Sequence, residues 1–414
     1  ANAALQRDID RLPFLTALKF NRVYVGSDRR NPQWWNPGKL FENGVAQLAH
    51  RFRDTGLMHV AIMLNPYRQF PFMTAVDEID AAVLNIWNHD SPQSFAMLQQ
   101  VYAPGLEAGA GTIVLLADDF MPHTGDNPYR YTLYSAADRR RFVNLQHAHA
   151  HVLNQLKQWI DAAYPGTQLA FCPPWYCNEF VDRSEGRAEA YFEDLVARIH
   201  EDIAILWTGP TIRSLTVDTA DLKRFRELIG RDPLFWDNTL YARSLEVNRY
   251  GGYTTHYPGK VRMCNLFEPF DTYKPSDFQR FNHGAGMYVN GALSGEVYQI
   301  KYATVADYLW NPSAYDPERS LWKVLCRDYG VPVARQIIIF NDAYYTFYGT
   351  CRRMELEGVD AARIRQGTRQ LKHLEKQLQQ LIDRMDANHP LVKELSRYCE
   401  KQRQRFAKLS AAGK

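Results

Sequence analysis

Short apolar runs alternate with longer amphipathic stretches from Asn21 to about Ala292, the pattern of repeated strand and helix units around a parallel sheet. Seven runs rich in β-branched and aromatic residues read as strands: Arg22 to Val25, His59 to Leu64, Thr112 to Ala117, Gln168 to Cys172, Ile203 to Trp207, Leu234 to Asp237 and Met287 to Asn290. Between them, Leu40 to Thr55, Ser94 to Glu107, Ala136 to Ala163, Ala188 to Glu201 and Thr219 to Ile229 carry apolar residues at spacings of three and four. That spacing predicts helices packed on one face. The order predicts an α/β fold, a TIM-type (β/α)8 barrel over residues 1–300. Closure needs an eighth strand; because Leu5 to Leu18 reads as helix, that strand is expected before Ala1.

The pattern then becomes helical, giving a second region over residues 301–414. Lys301 to Tyr308 and Ser320 to Tyr329 read as helices around a proline-marked turn at Trp310 to Pro317. Leu371, Leu374, Leu378, Leu381 and Met385 form a seam, Asn388-His389-Pro390 ends that helix, and Leu391 to Phe406 starts another, which together predict a helical hairpin. From Arg352 onward 15 Lys or Arg meet 8 Asp or Glu, so this tail suits either a partner-binding surface or a solvated hairpin face. The whole chain is nearly neutral at +3, which argues against nucleic acid as a partner and for a neutral or small substrate. No run is long and apolar enough for a membrane span, and Ala1 to Asp10 lacks a signal-peptide pattern. Compartment stays open, with a secreted or periplasmic setting slightly ahead of a cytoplasmic one.

In a barrel of this kind the chemistry sits at the carboxyl ends of the strands. Those positions are polar and aromatic here: Asp118-Asp119-Phe120, Cys172-Pro173-Pro174-Trp175-Tyr176, Trp207-Thr208-Gly209-Pro210, Trp236-Asp237-Asn238 and Asn290. Carboxylate, tyrosine, tryptophan and asparagine would line an aromatic-walled, hydrogen-bonding pocket suited to a sugar rather than a phosphate. Asp118-Asp119 is the sharpest feature, since two carboxylates in one low-dielectric pocket do not both ionise easily. One then keeps a proton and acts as acid while the other stays an anion. The same step would also serve as a helix cap or a solvated loop.

These motifs, in this order, resemble glycoside hydrolase family 84, the β-N-acetylglucosaminidases that include protein O-GlcNAcases and bacterial enzymes of hyaluronidase type. The resemblance runs from about Asn21 to Trp322 and takes in Ala303-Thr304-Val305-Ala306-Asp307-Tyr308-Leu309-Trp310-Asn311-Pro312. It implies a retaining hydrolase acting on N-acetylglucosamine-containing glycans or glycoproteins without cofactor or metal. By that resemblance Asp118 orients the substrate's 2-acetamido group and Asp119 is the general acid and base. Tyr176 would bond the acetamido oxygen, Trp236 would wall the pocket, Asn238 would steady the acetamido region and Asn290 would bind a ring hydroxyl. Hydrolysis assisted by the substrate's own amide needs no protein nucleophile.

Three departures stand out. Nothing in Ala1 to Leu18 resembles the family's Glu-Gly-Phe-Tyr-Gly segment. Gly26-Ser27-Asp28-Arg29-Arg30 places Asp28 where the family has a hydroxyl-binding lysine, with Arg29 or Arg30 as substitutes or surface residues. Arg243 stands where the family has an aspartate that grips the far hydroxyls. The acetamido side therefore looks intact and the far side rebuilt, which leaves a catalytically impaired sugar-binding or scaffolding protein as the alternative.

Other candidates are weaker. His147 and His151 share a helix face at i, i+4 but lack the glutamate and third ligand of a metal site, so His147, His149 and His151 read as a polar helix surface. Cys172 and Cys177 have no completing ligand pair and read as buried thiols. Gly105, Gly109 and Gly111 precede a strand, the reverse of a phosphate-binding loop.

Overall fold

The computed structural model describes residues 10, 12–26, 45–54, 59–66, 88–118, 136–212, 214, 217–238, 267, 269–270, 287–290 and 295–412. Its strands are β1 (Arg22–Gly26), β2 (His59–Leu64), β3 (Thr112–Leu116), β4 (Gln168–Cys172), β5 (Ala204–Trp207), β6 (Leu234–Asp237) and β7 (Met287–Val289). All seven expected strands are present, within a residue or so of their expected ends. They form one sheet in sequence order, and β1 to β6 pair in parallel. A doubly wound sheet reverses its order at a switch point; an order that never reverses is that of a (β/α)8 barrel. The two edge strands also approach one another, with the rings of Tyr24 on β1 and Tyr288 on β7 only 4.1 Å apart between centroids.

Parallel neighbours require a crossover, and helices supply it. After α1 (Leu12–Ala17), which precedes β1, these are α2 (Val45–Asp54), α3 (Pro92–Glu107), α4 (Ala136–Arg141), α5 (Leu145–Ala163), α6 (Asn178–Asp182), α7 (Arg187–Val196) and α8 (Thr219–Ile229). Central strands covered on both faces should read as unbroken apolar runs. Accordingly Val60 to Leu64, Ile113 to Leu116 and Leu169 to Cys172 are all buried. The single helix expected over Ala136 to Ala163 is two. Phe142 to Asn144 interrupt it, and the Asn144 carboxamide accepts from the His147 backbone N–H at 3.0 Å, starting α5 as an N-cap. Helix α8 begins with a reciprocal cap between Asp218 and Asp221 and ends at left-handed Gly230.

After β7 come α9 (Glu296–Trp310), a 3-10 turn (Pro312–Ala314), α10 (Pro317–Tyr329), α11 (Val331–Glu357), α12 (Ala361–Arg384) and α13 (Pro390–Ala412). Helix α11 is not among the elements that periodicity predicts. Along the expected seam of α12, Leu374 and Leu381 are fully buried beside Gly367 and Gln377, whereas Leu371, Leu378 and Met385 are half-buried. Gln336 of α11 donates to the Gln377 side-chain oxygen at 2.9 Å, satisfying a polar contact inside the helical packing. Contacts divide the chain into two compact units, one made of residues 1–212, 218–236 and 280–288, the other of residues 213–217, 237–279 and 289–414. Among the described residues no helix is long and apolar enough to cross a membrane.

Candidate active site

The backbone ladder of the sheet runs past the strands themselves, and that sets the positions of the strand-end residues. Ala117 N–H donates to the Cys172 carbonyl at 2.8 Å, one rung beyond β3, and Asp118 follows at once. Thr208 N–H donates to the Tyr176 carbonyl at 2.8 Å, so the turn after β4 is tied to the turn after β5. In the same way Asn178 N–H reaches the Gly209 carbonyl at 3.2 Å and Glu179 N–H the Pro210 carbonyl at 2.9 Å. Gly209 has φ of +101°, a left-handed value that a side chain would strain, which is why glycine sits in this turn. Asp118 and Tyr176 thus leave adjacent strands at the same carboxyl edge.

Asp118 is buried, 9% exposed. The carboxamide of Asn65, the residue just after β2, donates to the Asp118 backbone oxygen at 2.7 Å and to its carboxylate at 3.2 Å. Asn65 is not among the residues that sequence reasoning singles out, although the signal is there: it is the first polar residue after the apolar run of β2. Tyr176 is buried against Phe180 with ring centroids 5.2 Å apart, and its neighbour Trp175 packs on Tyr191 at 5.0 Å. Behind them the Tyr191 hydroxyl lies 2.6 Å from Nδ1 of His149.

His149 corrects one expectation. His147 and His151 do lie at a half-exposed surface, paired with Asp194 and Asp90, but His149 is completely buried. Burial, with the nearby His89 next in effect, holds its pKa well below the ordinary histidine value. His89 is itself buried and holds Asp138 through both its backbone N–H, at 2.9 Å, and its ring Nδ1, at 3.0 Å. Cys172 and Cys177 are buried thiols, and burial pushes the Cys177 thiol up, far from a reactive thiolate.

Trp236, on β6, is 8% exposed and packs edge to face on Tyr288 at 4.9 Å. Among the described residues its buried indole N–H has no hydrogen-bond partner, an arrangement that a bound acceptor would complete. Asn238 follows β6 and Asn290 follows β7. The Asn290 carboxamide donates to the Asn238 side-chain oxygen at 2.8 Å, and Asn290 N–H donates to the Asp237 carbonyl at 2.7 Å. The structure therefore joins Asn238 to Asn290 directly, and sets Asp118, Tyr176 and Trp236 at strand ends of one sheet. Asp119 and Arg243 lie outside the described residues, as do Asp28, Arg29 and Arg30. Among the described residues no cluster of three or more His, Cys, Asp or Glu is placed to hold a metal ion.

A family model of β-N-acetylglucosaminidase matches residues 83–249, a span that includes Asp118, Asp119, Tyr176, Trp236, Asn238 and Arg243. Protein O-GlcNAcases of Rattus norvegicus and Mus musculus are 31% and 30% identical to this chain over 114 residues. That stretch is 28% of this chain and 12% of each relative. A solved O-GlcNAc hydrolase mutant from Thermobaculum terrenum has the same fold, with a TM-score of 0.66 at 19% identity over 98% of this chain and 79% of that one. Together with the ordered strand-end motifs, these likenesses make the chain similar to the β-N-acetylglucosaminidases, with the family match confined to residues 83–249.

Proposed function

We propose that this chain is a retaining glycoside hydrolase that removes terminal β-linked N-acetylglucosamine, or a related N-acetylhexosamine, from glycans or glycoproteins with the help of the substrate's own amide. The observation that carries the reading is the buried Asp118 at the end of β3, gripped by Asn65, inside the segment that matches the family model. Asp118 accepts the acetamido N–H, which raises electron density on the amide oxygen. That oxygen attacks the anomeric carbon as the glycosidic bond breaks, and Asp119 gives its proton to the departing oxygen. Water then adds at the anomeric carbon while Asp119 takes a proton back; the bond to the amide oxygen breaks and the acetamido group is restored. Two displacements at one carbon retain its configuration, so the closely spaced acid and nucleophile pair of other retaining enzymes is not required.

Around this chemistry, Tyr176 bonds the amide oxygen and Trp236 closes the wall with its unpaired indole N–H available to the substrate. Asn238 steadies the acetamido side and Asn290, tied to it, binds a ring hydroxyl. Arg243 replaces an acidic grip on the far hydroxyls, which makes an acidic sugar or an acidic neighbouring unit a substrate to compare with neutral ones. The test is release of p-nitrophenol from its β-N-acetylglucosaminide. Asp119→Asn should lower kcat by about 10²- to 10⁴-fold, the usual contribution of a positioned acid and base. Equal turnover by that variant would sink the mechanism. The substitutions at Asp28 and Arg243 favour a second reading, a sugar-binding or scaffolding protein; tight calorimetric binding of an acetamido sugar with no turnover over days would support it.

A further inference from the structure

Asn65 makes a contact that the reaction as described does not use. β2 and β3 run in register with Leu64 opposite Leu115, so Asn65 lies one position beyond that rung and Asp118 three. Asn65 is fully buried, and one carboxamide nitrogen bonds two different parts of the same residue, the Asp118 backbone oxygen and its carboxylate. The backbone bond fixes where the chain leaves β3. The carboxylate bond fixes the side-chain torsion. Away from bulk water such a bond is electrostatically strong, and a neutral donor delivers it without adding a charge that would compete for the substrate amide. A buried carboxamide costs free energy unless its hydrogen bonds are made, so a residue used only to fill space would be apolar at this position.

We infer that Asn65 is a positioning residue of the active site, holding the Asp118 carboxylate in one orientation toward the acetamido N–H of the sugar. The inference rests on the reading of Asp118 given above and goes beyond it by naming what holds that side chain. It also predicts an electrostatic consequence, since a hydrogen bond donated to a carboxylate favours the anion over the acid.

The test compares wild type, Asn65→Leu, Asn65→Asp and Asp118→Asn in the full chain, with two readouts. One is kcat and KM on p-nitrophenyl β-N-acetylglucosaminide across pH. The other is the carboxyl titration of Asp118, followed by NMR in protein carrying 13C-labelled aspartate and assigned as the signal lost in Asp118→Asn. Asp119, next in the chain, also titrates and shapes the rate profile, so the NMR readout isolates Asp118. Asn65→Leu should lower kcat by about 10- to 100-fold with little change in KM, as misplacement of a reacting group does. Its Asp118 signal should titrate at higher pH than in wild type. Asn65→Asp, nearly isosteric, should work best at acid pH, where the new carboxyl is protonated and donates to Asp118. Its activity should fall as pH rises and two carboxylates face each other. A purely structural role would not produce that reversal.

Wild-type kcat and an unmoved Asp118 titration in Asn65→Leu would overturn the inference. So would an Asn65→Asp profile parallel to that of wild type, which decides the matter if the leucine variant fails to fold. Failure of the hydrolase reading looks different: wild type would leave the substrate intact while the Asp118 titration still moved in Asn65→Leu, and the Asn65 contact would stand. Turnover by wild type with an unmoved titration in the variant would do the reverse, keeping the hydrolase and removing Asn65 from its machinery.

Discussion

The sheet-bearing unit and the helical unit place their buried polar side chains differently. In the first, Asn65, Asp118, Asp138, His149 and Thr208 are all buried, each within reach of another polar group. In the second, buried polar groups such as Gln336, Gln377 and Glu394 sit between packed helices, while charges such as those of Arg403 with Glu400 and Arg327 with Asp328 pair at the surface. Burying a polar group is costly unless its bonds are made, and a barrel could be filled with apolar residues alone. Interior polar residues at strand ends therefore mark positions where chemistry or the rigid aiming of a side chain matters. Paired surface charges carry no such message.

A buried carboxylate of the helical unit, Glu394, takes part in the largest stability effect expected. Helix α9 starts at Gly295, which has no side chain to cap it, and the exposed N–H groups of its first turn need an acceptor. Glu394 of α13 provides one, accepting from Glu296 N–H at 2.7 Å and Val297 N–H at 3.4 Å. Gly295 has φ of +110°, and a Cβ there would stand 2.7 Å from the Glu394 carboxylate oxygens. Gly295→Ala should cost about 3 kcal/mol, backbone strain and loss of the cap combined, read as a lowered midpoint in urea unfolding. A cost too small to measure would mean that this carboxylate, although buried, is incidental to the packing of the helical unit, and the comparison of buried polar groups between the two units would lose its meaning.

The sequence is most informative where one periodicity dominates. Strands β2, β3 and β4 are short apolar runs between turn residues, and their limits can be read almost to the residue. Helix α11 is opaque because Ile337-Ile338-Ile339-Phe340 and Tyr344-Tyr345 look like strand, although Ala334, Ile337, Asn341, Tyr344, Tyr348 and Cys351 form a buried stripe at helical spacing. Burial on a wide face blurs the contrast on which periodicity depends. At the site, strand-end positions are legible as a class, so Asp118, Tyr176 and Trp236 can be named. Their partners are not: nothing in the spacing of Asn65 and Asp118, 53 residues apart, says that they touch. His149 misleads for a related reason. It alternates with two surface histidines, and neighbours distant in sequence, such as Tyr191, 42 residues away, receive it inside.

That inward histidine gives the next effect in size. Its pKa is lowered in the folded state, whereas in the unfolded chain it takes up a proton near pH 6.5. Below about pH 6.5 the unfolded state therefore binds more protons, and stability falls with pH by up to ~1.4 kcal/mol per unit until the folded-state value is reached. Above about pH 7.5 the contribution is flat. His149→Gln keeps a polar group facing Tyr191 and abolishes the titration, so its melting temperature should change less than that of wild type between pH 7.5 and 5.5. Parallel pH profiles for the two proteins would show that the buried imidazole is not what makes this unit acid-sensitive.

The smallest effect is expected where the helical unit resembles an ordinary surface. Arg403 lies 2.8 Å from Glu400 one turn away on α13, and both side chains are exposed. Water and salt screen such a pair, and holding two long side chains in one geometry costs entropy that offsets the attraction. Arg403→Ala should therefore leave the melting temperature within experimental error of wild type, at low salt as well as high. A loss comparable with that of Gly295→Ala would require this arginine to anchor something beyond its own helix turn. The surface charges of the helical unit would then have to be regarded, like the buried polar groups of the sheet unit, as parts of a built structure rather than its solvated exterior.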